Sequence, residues 1–171
     1  KINFPIEREV ASPHDILKSC YNFRTENDIG DEDFVILLTE QANNLNWFSF
    51  GDENNNAFIH TSDWGYYLGC NSAYPITYEV ISNIYYMILF EGMSDINIHT
   101  HKIPEGCIND FCEQKKDIKL KMRTADICSL CQKLMIERNF PMSISTQISE
   151  IMEYLRTKLI SLERFIRTRG A

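Results

Sequence analysis

The sequence predicts an α+β protein with a small mixed sheet, a central buried helix, a cysteine-rich module and a long C-terminal helix. Three features predict this: short apolar runs before residue 62, a wide apolar helical face over residues 77–90, and helical apolar spacing from residue 144 to 166. A length of 171 residues, of which 44% are hydrophobic and 24% charged, suits one globular unit. We divide it into a core, residues 1–140, which includes the cysteine module at 107–131, and an amphipathic helix, residues 141–171.

The first helix is expected over residues 11–25, where Ser12 can cap the N-terminus and Pro13 suits the first turn. The apolar run 34–39 predicts a short buried strand. Two further strands, 47–50 and 57–61, flank a turn rich in Gly, Asp and Asn. We therefore expect these two strands to pair.

Residues 77–90 follow Pro75 and place most of their apolar side chains on one helical face, which predicts the central buried helix. Residues 115–123 instead alternate apolar and basic side chains, with Ile118, Leu120 and Met122 on one side. A period of two favours a strand. We expect its basic side to face solvent.

The C-terminal helix is predicted over residues 145–167. Its apolar residues recur at steps of three and four, which forms a seam typical of helix packing: Ile144, Ile148, Ile151, Leu155, Leu159, Leu162 and Ile166. This seam can pack on the domain's own core. It can also serve self-association or a protein partner through the 144–166 helix, because a helix of this length, roughly 35 Å, exceeds the width of a small domain.

Charge and composition exclude several classes of function. The chain has 17 Lys and Arg against 24 Asp and Glu, a net charge of -7, which opposes binding to nucleic acid. No uncharged apolar run approaches the roughly twenty residues that a membrane span needs. The glycines form no phosphate-binding loop. We expect a soluble protein without nucleic-acid or membrane partners.

Four of the six cysteines are clustered: Cys107, Cys112, Cys128 and Cys131 have the spacing C-x4-C-x15-C-x2-C. Two close pairs joined by a short module are typical of a structural zinc site. Four thiolates fill the tetrahedron, so the predicted ion would hold the fold and not bind substrate. A disulfide framework and redox chemistry at the second pair are the alternatives. Zinc thiolates and two core thiols, Cys20 and Cys70, favour a reducing compartment, and we expect the cytoplasm.

His99 and His101 precede the first cysteine pair. Either could replace a thiolate, and together they could form an independent second site because side chains at i and i+2 of an extended segment share a face. The remaining interpretation is that both are surface residues without a ligand.

The order of these elements resembles that of the archaemetzincins, a zincin-fold metallopeptidase family. The resemblance covers residues 31–131 and is carried by segments 33–39, 48–51 and 57–62 and by the four-cysteine spacing. It implies a zincin-like scaffold with a structural zinc. The family's H-E-x-x-H-x-x-G-x-x-H motif is missing from this chain.

The nearest equivalent of the missing motif, residues 78–82, retains only Glu79, with Tyr78 and Ser82 at the positions of the two histidines. The resemblance therefore implies a degenerate, non-catalytic relative that acts as a scaffold or protein-interaction module. The alternative is a zinc-dependent hydrolase with non-standard ligands, for which Glu79, His99 and His101 are the candidate base and ligands.

Overall fold

The structure, a computed structural model, describes residues 10–169 and has the predicted α+β character. Its strands are β1 (Val35–Thr39), β2 (Ser49–Gly51) and β3 (Asn56–His60). Its helices are α1 (Pro13–Glu26), α2 (Trp64–Leu68), α3 (Ala73–Leu89), α4 (Met93–His99), α5 (Ile118–Thr124), α6 (Ser129–Glu137) and α7 (Met142–Arg169), with a 3₁₀ turn at Lys115–Asp117. The predicted core (residues 1–140) also includes residues 1–9, and the predicted C-terminal unit (141–171) also includes residues 170–171. These two ends lie outside the described residues.

The three strands form one mixed sheet in the order β1-β3-β2. β3 runs parallel to β1 and antiparallel to β2, so the predicted pairing of the second and third strands is confirmed. Asp52 closes the turn between them, since its Oδ1 accepts hydrogen bonds from the backbone N–H of Asn54 (2.9 Å) and Asn56 (3.0 Å). The centre of β3 is fully buried at Ala57, Phe58 and Ile59.

Helix α1 covers one part of this sheet. Ser12 and Asp15 form a reciprocal capping box at its N-terminus, as the sequence predicts for Ser12. The buried side chains of Ile16, Leu17 and Cys20 pack with Val35, Phe50 and Phe58 in a small cluster separate from the main core.

Helix α3 is the central helix of the larger core. It contacts β2, β3, α5 and α7, and it buries residues on more than one side, among them Tyr78, Ile81, Tyr85 and Leu89. The prediction of a central buried helix is confirmed, with an N-terminus that lies four residues earlier, at Ala73.

The strand predicted for residues 115–123 is wrong. These residues form the 3₁₀ turn and α5. Gln114 and Asp117 cap the turn reciprocally, and α5 then buries Ile118 and Met122, which are one helical turn apart. Leu120, which the alternating pattern assigns to the same face, is 42% exposed. Helix α5 packs on α7, and this contact favours a helix more strongly than the local alternation of apolar and basic residues favours a strand.

Helix α7 uses much of its predicted seam within the domain. Ile148, Leu155 and Leu159 are buried against the main core, together with Met152, which lies outside the predicted seam. Ile151 and Ile166 are exposed, by 39% and 55%. None of the described helices combines the length and the apolar character that crossing a membrane requires.

Candidate metal centre

Three stretches of chain meet between α4 and α6. His101 lies just after α4, Cys107 lies in the following loop, and Cys128 and Cys131 lie at the start of α6. Short backbone pairings hold the stretches together: His101 N–H donates to Asn109 O (3.0 Å), and Ile108 N–H donates to Asp126 O (3.0 Å). These contacts bring residues separated by up to 30 positions to one point.

The ligand atoms of His101, Cys107, Cys128 and Cys131 all lie within 4.8 Å of one another. The Cys107 and Cys131 sulfurs are 3.7 Å apart, and His101 Nε2 lies 3.4 Å from Cys131 Sγ and 3.7 Å from Cys128 Sγ. Ligands at tetrahedral zinc are separated by about 3.8 Å for two sulfurs and about 3.6 Å for sulfur and nitrogen. The four residues could therefore hold a metal ion.

Asp110 orients the histidine of this group. It is 2% exposed, and its Oδ1 lies 3.1 Å from His101 Nδ1, which leaves Nε2 directed at the sulfurs. Its Oδ2 accepts hydrogen bonds from the backbone N–H of Glu105 (2.8 Å) and Gly106 (2.5 Å). A carboxylate on the distal nitrogen of a metal-binding histidine is a recurrent arrangement, because it fixes the tautomer and strengthens the ligand.

Neighbouring donors favour the thiolate form of Cys107. Cys131 Sγ donates to Cys107 Sγ, and Cys128 N–H donates to Cys107 Sγ at 3.3 Å; these hydrogen bonds lower the pKa of Cys107 to about 6. The same shared proton raises the pKa of Cys131. Asn109 Nδ2 donates to Cys131 Sγ at 3.0 Å, and the N-terminus of α6 adds its positive dipole end.

Gly106 permits the turn before Cys107. Its φ of +91° lies in the region that side chains avoid, and a Cβ added there would overlap the side chain of Thr124. The Thr124 hydroxyl donates to Gly106 O, which ties this turn to the end of α5.

The structure differs from the sequence prediction at one ligand. It brings Cys107, Cys128 and Cys131 together but places His101, and not Cys112, with them. Cys112 lies beyond the His101–Phe111 backbone hydrogen bond and lines a separate cavity, where burial raises the pKa of its thiol to about 12. The His-x5-Cys spacing is visible in the sequence, but it competes there with an equally suitable Cys-x4-Cys pair.

The other predicted residues have different surroundings. Cys20 and Cys70 are buried free thiols. His99 lies 3.4 Å from Asp95 Oδ1, accompanied by Arg138, and stacks on Phe90. Glu79 is 4% exposed on α3. Among the described residues the metal-ligand group includes only His101 of the three hydrolase candidates, so Glu79, His99 and His101 do not form one site.

Glu79 lines the same cavity as Cys112. Burial raises the pKa of this carboxyl to about 7, against the opposing effects of Lys121 and the Ser49 hydroxyl. Lys121 is itself 3% exposed, and its Nζ donates to Asp110 O at 3.2 Å. Neither the burial of Lys121 nor its proximity to Glu79 has a signal in the sequence, where it belongs to a basic run.

Comparisons of the chain with protein-family models, curated proteins and solved structures find no match.

Proposed function

We propose that this protein is a zinc-stabilised, non-catalytic domain in which one structural Zn²⁺ is bound by His101, Cys107, Cys128 and Cys131. The observation that carries the proposal is the convergence of these four ligand atoms within 4.8 Å. Six free cysteines are compatible with a reducing compartment, and we place the protein in the cytoplasm on that ground.

The donor set supports zinc over other metals. Thiolate and imidazole suit Zn²⁺, whereas Mg²⁺ and Ca²⁺ take oxygen ligands. Four protein ligands complete a tetrahedron, so no coordination position remains for a reacting water. A closed site of this kind contributes free energy to folding.

The proposed scaffold is that of a degenerate zincin. Its support is the mixed sheet, the buried helix behind β2 and β3, and the metal module that follows in the chain. Tyr78 and Ser82, at the positions where the resembled family has histidines, are both buried on α3. Neither offers a usual zinc ligand, which supports a scaffold role.

A protein partner or self-association through the 144–166 helix stays a prediction. The buried seam positions are occupied by the domain's own core. The part of the helix that remains for a partner is the exposed side that carries Ile151 and Tyr154, which are 39% and 56% exposed.

A matched pair of cysteine variants tests the metal assignment. We expect native mass spectrometry to find one zinc per chain in the unaltered protein and in Cys112→Ser, and none in Cys131→Ser after mild dialysis. Cys20→Ser serves as a second control, since Cys20 lies on α1 and packs against the sheet, in the cluster that contains none of the four ligands. Zinc loss in both Cys112→Ser and Cys131→Ser would contradict the assignment and favour the four-cysteine set, whereas zinc retention in Cys131→Ser would exclude both sets.

A further inference from the structure

Lys115 and His60 meet at a cavity of 630 Å³ that lies between β2, α3 and the segment from Asp110 to Lys121. Its volume is within the range of small-molecule sites, about 300–1,000 Å³. None of the four residues of the metal-ligand group lines this cavity. The two side chains are therefore reactive groups outside the metal centre, with room beside them for a ligand.

The contact between these two side chains joins parts of the chain 55 positions apart, the end of β3 and the start of the 3₁₀ turn. Lys115 Nζ lies 2.9 Å from His60 Nδ1 and also donates to Ser62 O. A lysine ammonium has N–H donors and no acceptor, so Nδ1 is the unprotonated ring nitrogen. The other ring nitrogen then carries the proton, in agreement with the hydrogen bond between the ring and the Glu40 backbone. A neutral imidazole is thus held as a proton acceptor against the lysine amine.

Burial weakens the hold of this pair on its shared proton. Trp64 is fully buried, and its ring centroid lies 4.9 Å from Lys115 Nζ. Burial lowers the pKa of Lys115 against the opposing charge of Asp63. Burial and the Lys115 charge lower the pKa of His60 against the opposing effects of Glu40 and Asp63. The free amine of Lys115, which is the nucleophilic form, is therefore more populated near neutral pH than that of an exposed lysine.

Two neighbouring lysines lack this arrangement. Lys121 lines the cavity but is 3% exposed, and its Nζ donates to Asp110 O at 3.2 Å. Lys116 follows Lys115 directly, but it is exposed and does not line the cavity. Of the three, Lys115 combines access from the cavity with a proton acceptor at its amine.

The lining of the cavity favours an apolar ligand without negative charge. Carboxyl groups other than that of Glu79 outnumber the lysines: Asp52, Asp63, Asp110 and Glu113 against Lys115 and Lys121. A cleft that carries mostly one sign of charge disfavours ions of that sign. Aromatic side chains, among them Phe48, Tyr86 and Phe111, line the same cavity and offer surface for an apolar body.

We propose that Lys115 captures an aldehyde without negative charge as a reversible imine, with His60 as the proton acceptor. A Lys115 proton passes to His60 Nδ1, the freed nitrogen lone pair forms a C–N bond, and the carbonyl π electrons move to the oxygen. His60 returns this proton to the oxygen and relays a second one from the nitrogen, so the C–O bond breaks and water leaves. Ammonium and aldehyde thus become a protonated imine and water, with unchanged charge and no oxidant or reductant. This capture goes beyond the structural role of the zinc centre and does not depend on the metal.

Reductive trapping on the zinc-loaded full chain tests the proposal. Benzaldehyde is the probe, sodium cyanoborohydride converts the imine to a stable secondary amine, and peptide mass spectrometry locates it. We expect Lys115 to be modified at least about tenfold faster than Lys116 near neutral pH, because a positioned general acid–base group accelerates proton transfer. With 4-formylbenzoate, which adds a carboxylate, the ratio of the two rates should fall at least about threefold. Lys116 corrects for the intrinsic reactivity of each aldehyde.

Histidine variants separate the role of His60 from folding. His60→Ala should lower the Lys115-to-Lys116 rate ratio at least about tenfold, and added imidazole should restore part of it because it replaces the missing proton acceptor. A purely structural role would not respond to imidazole. His14→Ala is the matched control and should leave the ratio unchanged, since His14 is exposed on α1 and does not line the cavity.

Three results would overturn the proposal. The first is equal modification of Lys115 and Lys116 by benzaldehyde, a result on the unaltered protein that needs no variant. The second is a rate ratio for 4-formylbenzoate equal to or above that for benzaldehyde. The third is a ratio that is unchanged in His60→Ala or that imidazole does not restore. Metal content, measured in the same samples, separates a failure of this inference from a failure of the zinc assignment.

Discussion

Asp110 connects the metal centre to its loop through both carboxylate oxygens, one at His101 and one at the N–H groups of Glu105 and Gly106. Asp110→Asn retains the shape but removes the charge that strengthens the histidine ligand. We expect zinc affinity to fall about 10- to 100-fold, measured by competition with a chromogenic chelator. Asp126→Asn, an exposed residue of the same module, should leave the affinity within experimental error. Equal affinities of Asp110→Asn and the unaltered protein would show that Asp110 has no part in metal binding.

Glu79 predicts a pH dependence of stability. Its pKa is raised from the ordinary 4.5 to about 7 by burial, so the native state holds this proton more tightly than the unfolded state does. Stability is therefore highest below the unfolded pKa and falls as pH rises through the folded one. We expect Glu79→Gln to gain about 2–3 kcal/mol of unfolding free energy relative to the unaltered protein between pH 5 and pH 8.

Urea denaturation at saturating zinc measures this difference. The pH dependence that comes from the metal ligands is the same in both proteins and therefore cancels in the comparison. A constant difference across the range would show that Glu79 is ionised throughout in the native protein. A difference that falls with rising pH would reverse the sign and mean that Lys121 outweighs the burial of the carboxyl.

Three of the four residues that could hold the metal ion could be predicted from cysteine spacing alone. The fourth could not, because Cys112 and His101 are both near Cys107 in the chain, and which of them faces Cys128 depends on long-range contacts. The His101–Asn109 backbone hydrogen bond and the Asp110 carboxylate decide it. The same limit applies to Lys121, whose burial depends on the packing of α5 and has no local signature.

Helix α7 stabilises the larger core through a few fully buried side chains, and Leu155 is 2% exposed at its middle. Leu155→Ala leaves a space that rigid neighbours cannot fill, so we expect the unfolding free energy to fall by about 2–5 kcal/mol. Tyr154→Ala is the matched control, because Tyr154 is 56% exposed on the adjacent position. Urea denaturation compares them, and a loss for Tyr154→Ala equal to that for Leu155→Ala would contradict the orientation of the helix.

The elements differ in how well the sequence predicts them. α1, α3 and α7 have long 3.6-residue patterns or clear capping residues, and the hairpin has a turn rich in Asp and Asn, so local chemistry identifies them. α5 has only seven residues, too few for two full helical repeats. The alternation of apolar and basic residues in α5 is a local pattern, whereas the α7 surface that stabilises α5 as a helix lies some forty residues later in the chain.

The parallel pairing of β1 with β3 is also absent from the local pattern. A sequence with three short strands is compatible with several strand orders. The order β1-β3-β2 depends on long-range packing, because α1 contacts β1 and β3 whereas α3 contacts β2 and β3. The α+β class could thus be predicted from the sequence, but not the strand order or the cavity behind β2.

The two apolar clusters predict that zinc removal acts on part of the chain. The cluster around Ile16 and Phe58 contains no residue of the metal module, whereas the larger core includes Cys107 and Cys131. With zinc chelated, we expect amide hydrogen exchange to accelerate at least tenfold over residues 101–137. The amides of β1 and β3 should keep their protection, because stability is not uniform across a structure. Equal acceleration in both regions would show that the two clusters unfold as one.

The positions of the ligands along the chain also determine when the metal can act during synthesis. The cluster around Ile16 and Phe58 needs no residue beyond 58, so its parts are complete early in translation. The proposed zinc ion could not be enclosed before Cys131 has left the ribosome, and α7 follows Cys131 in the chain. A nascent chain thus leaves the apolar residues of α3 without their α7 partners for the synthesis time of some sixty more residues, from Leu89 to Ile148.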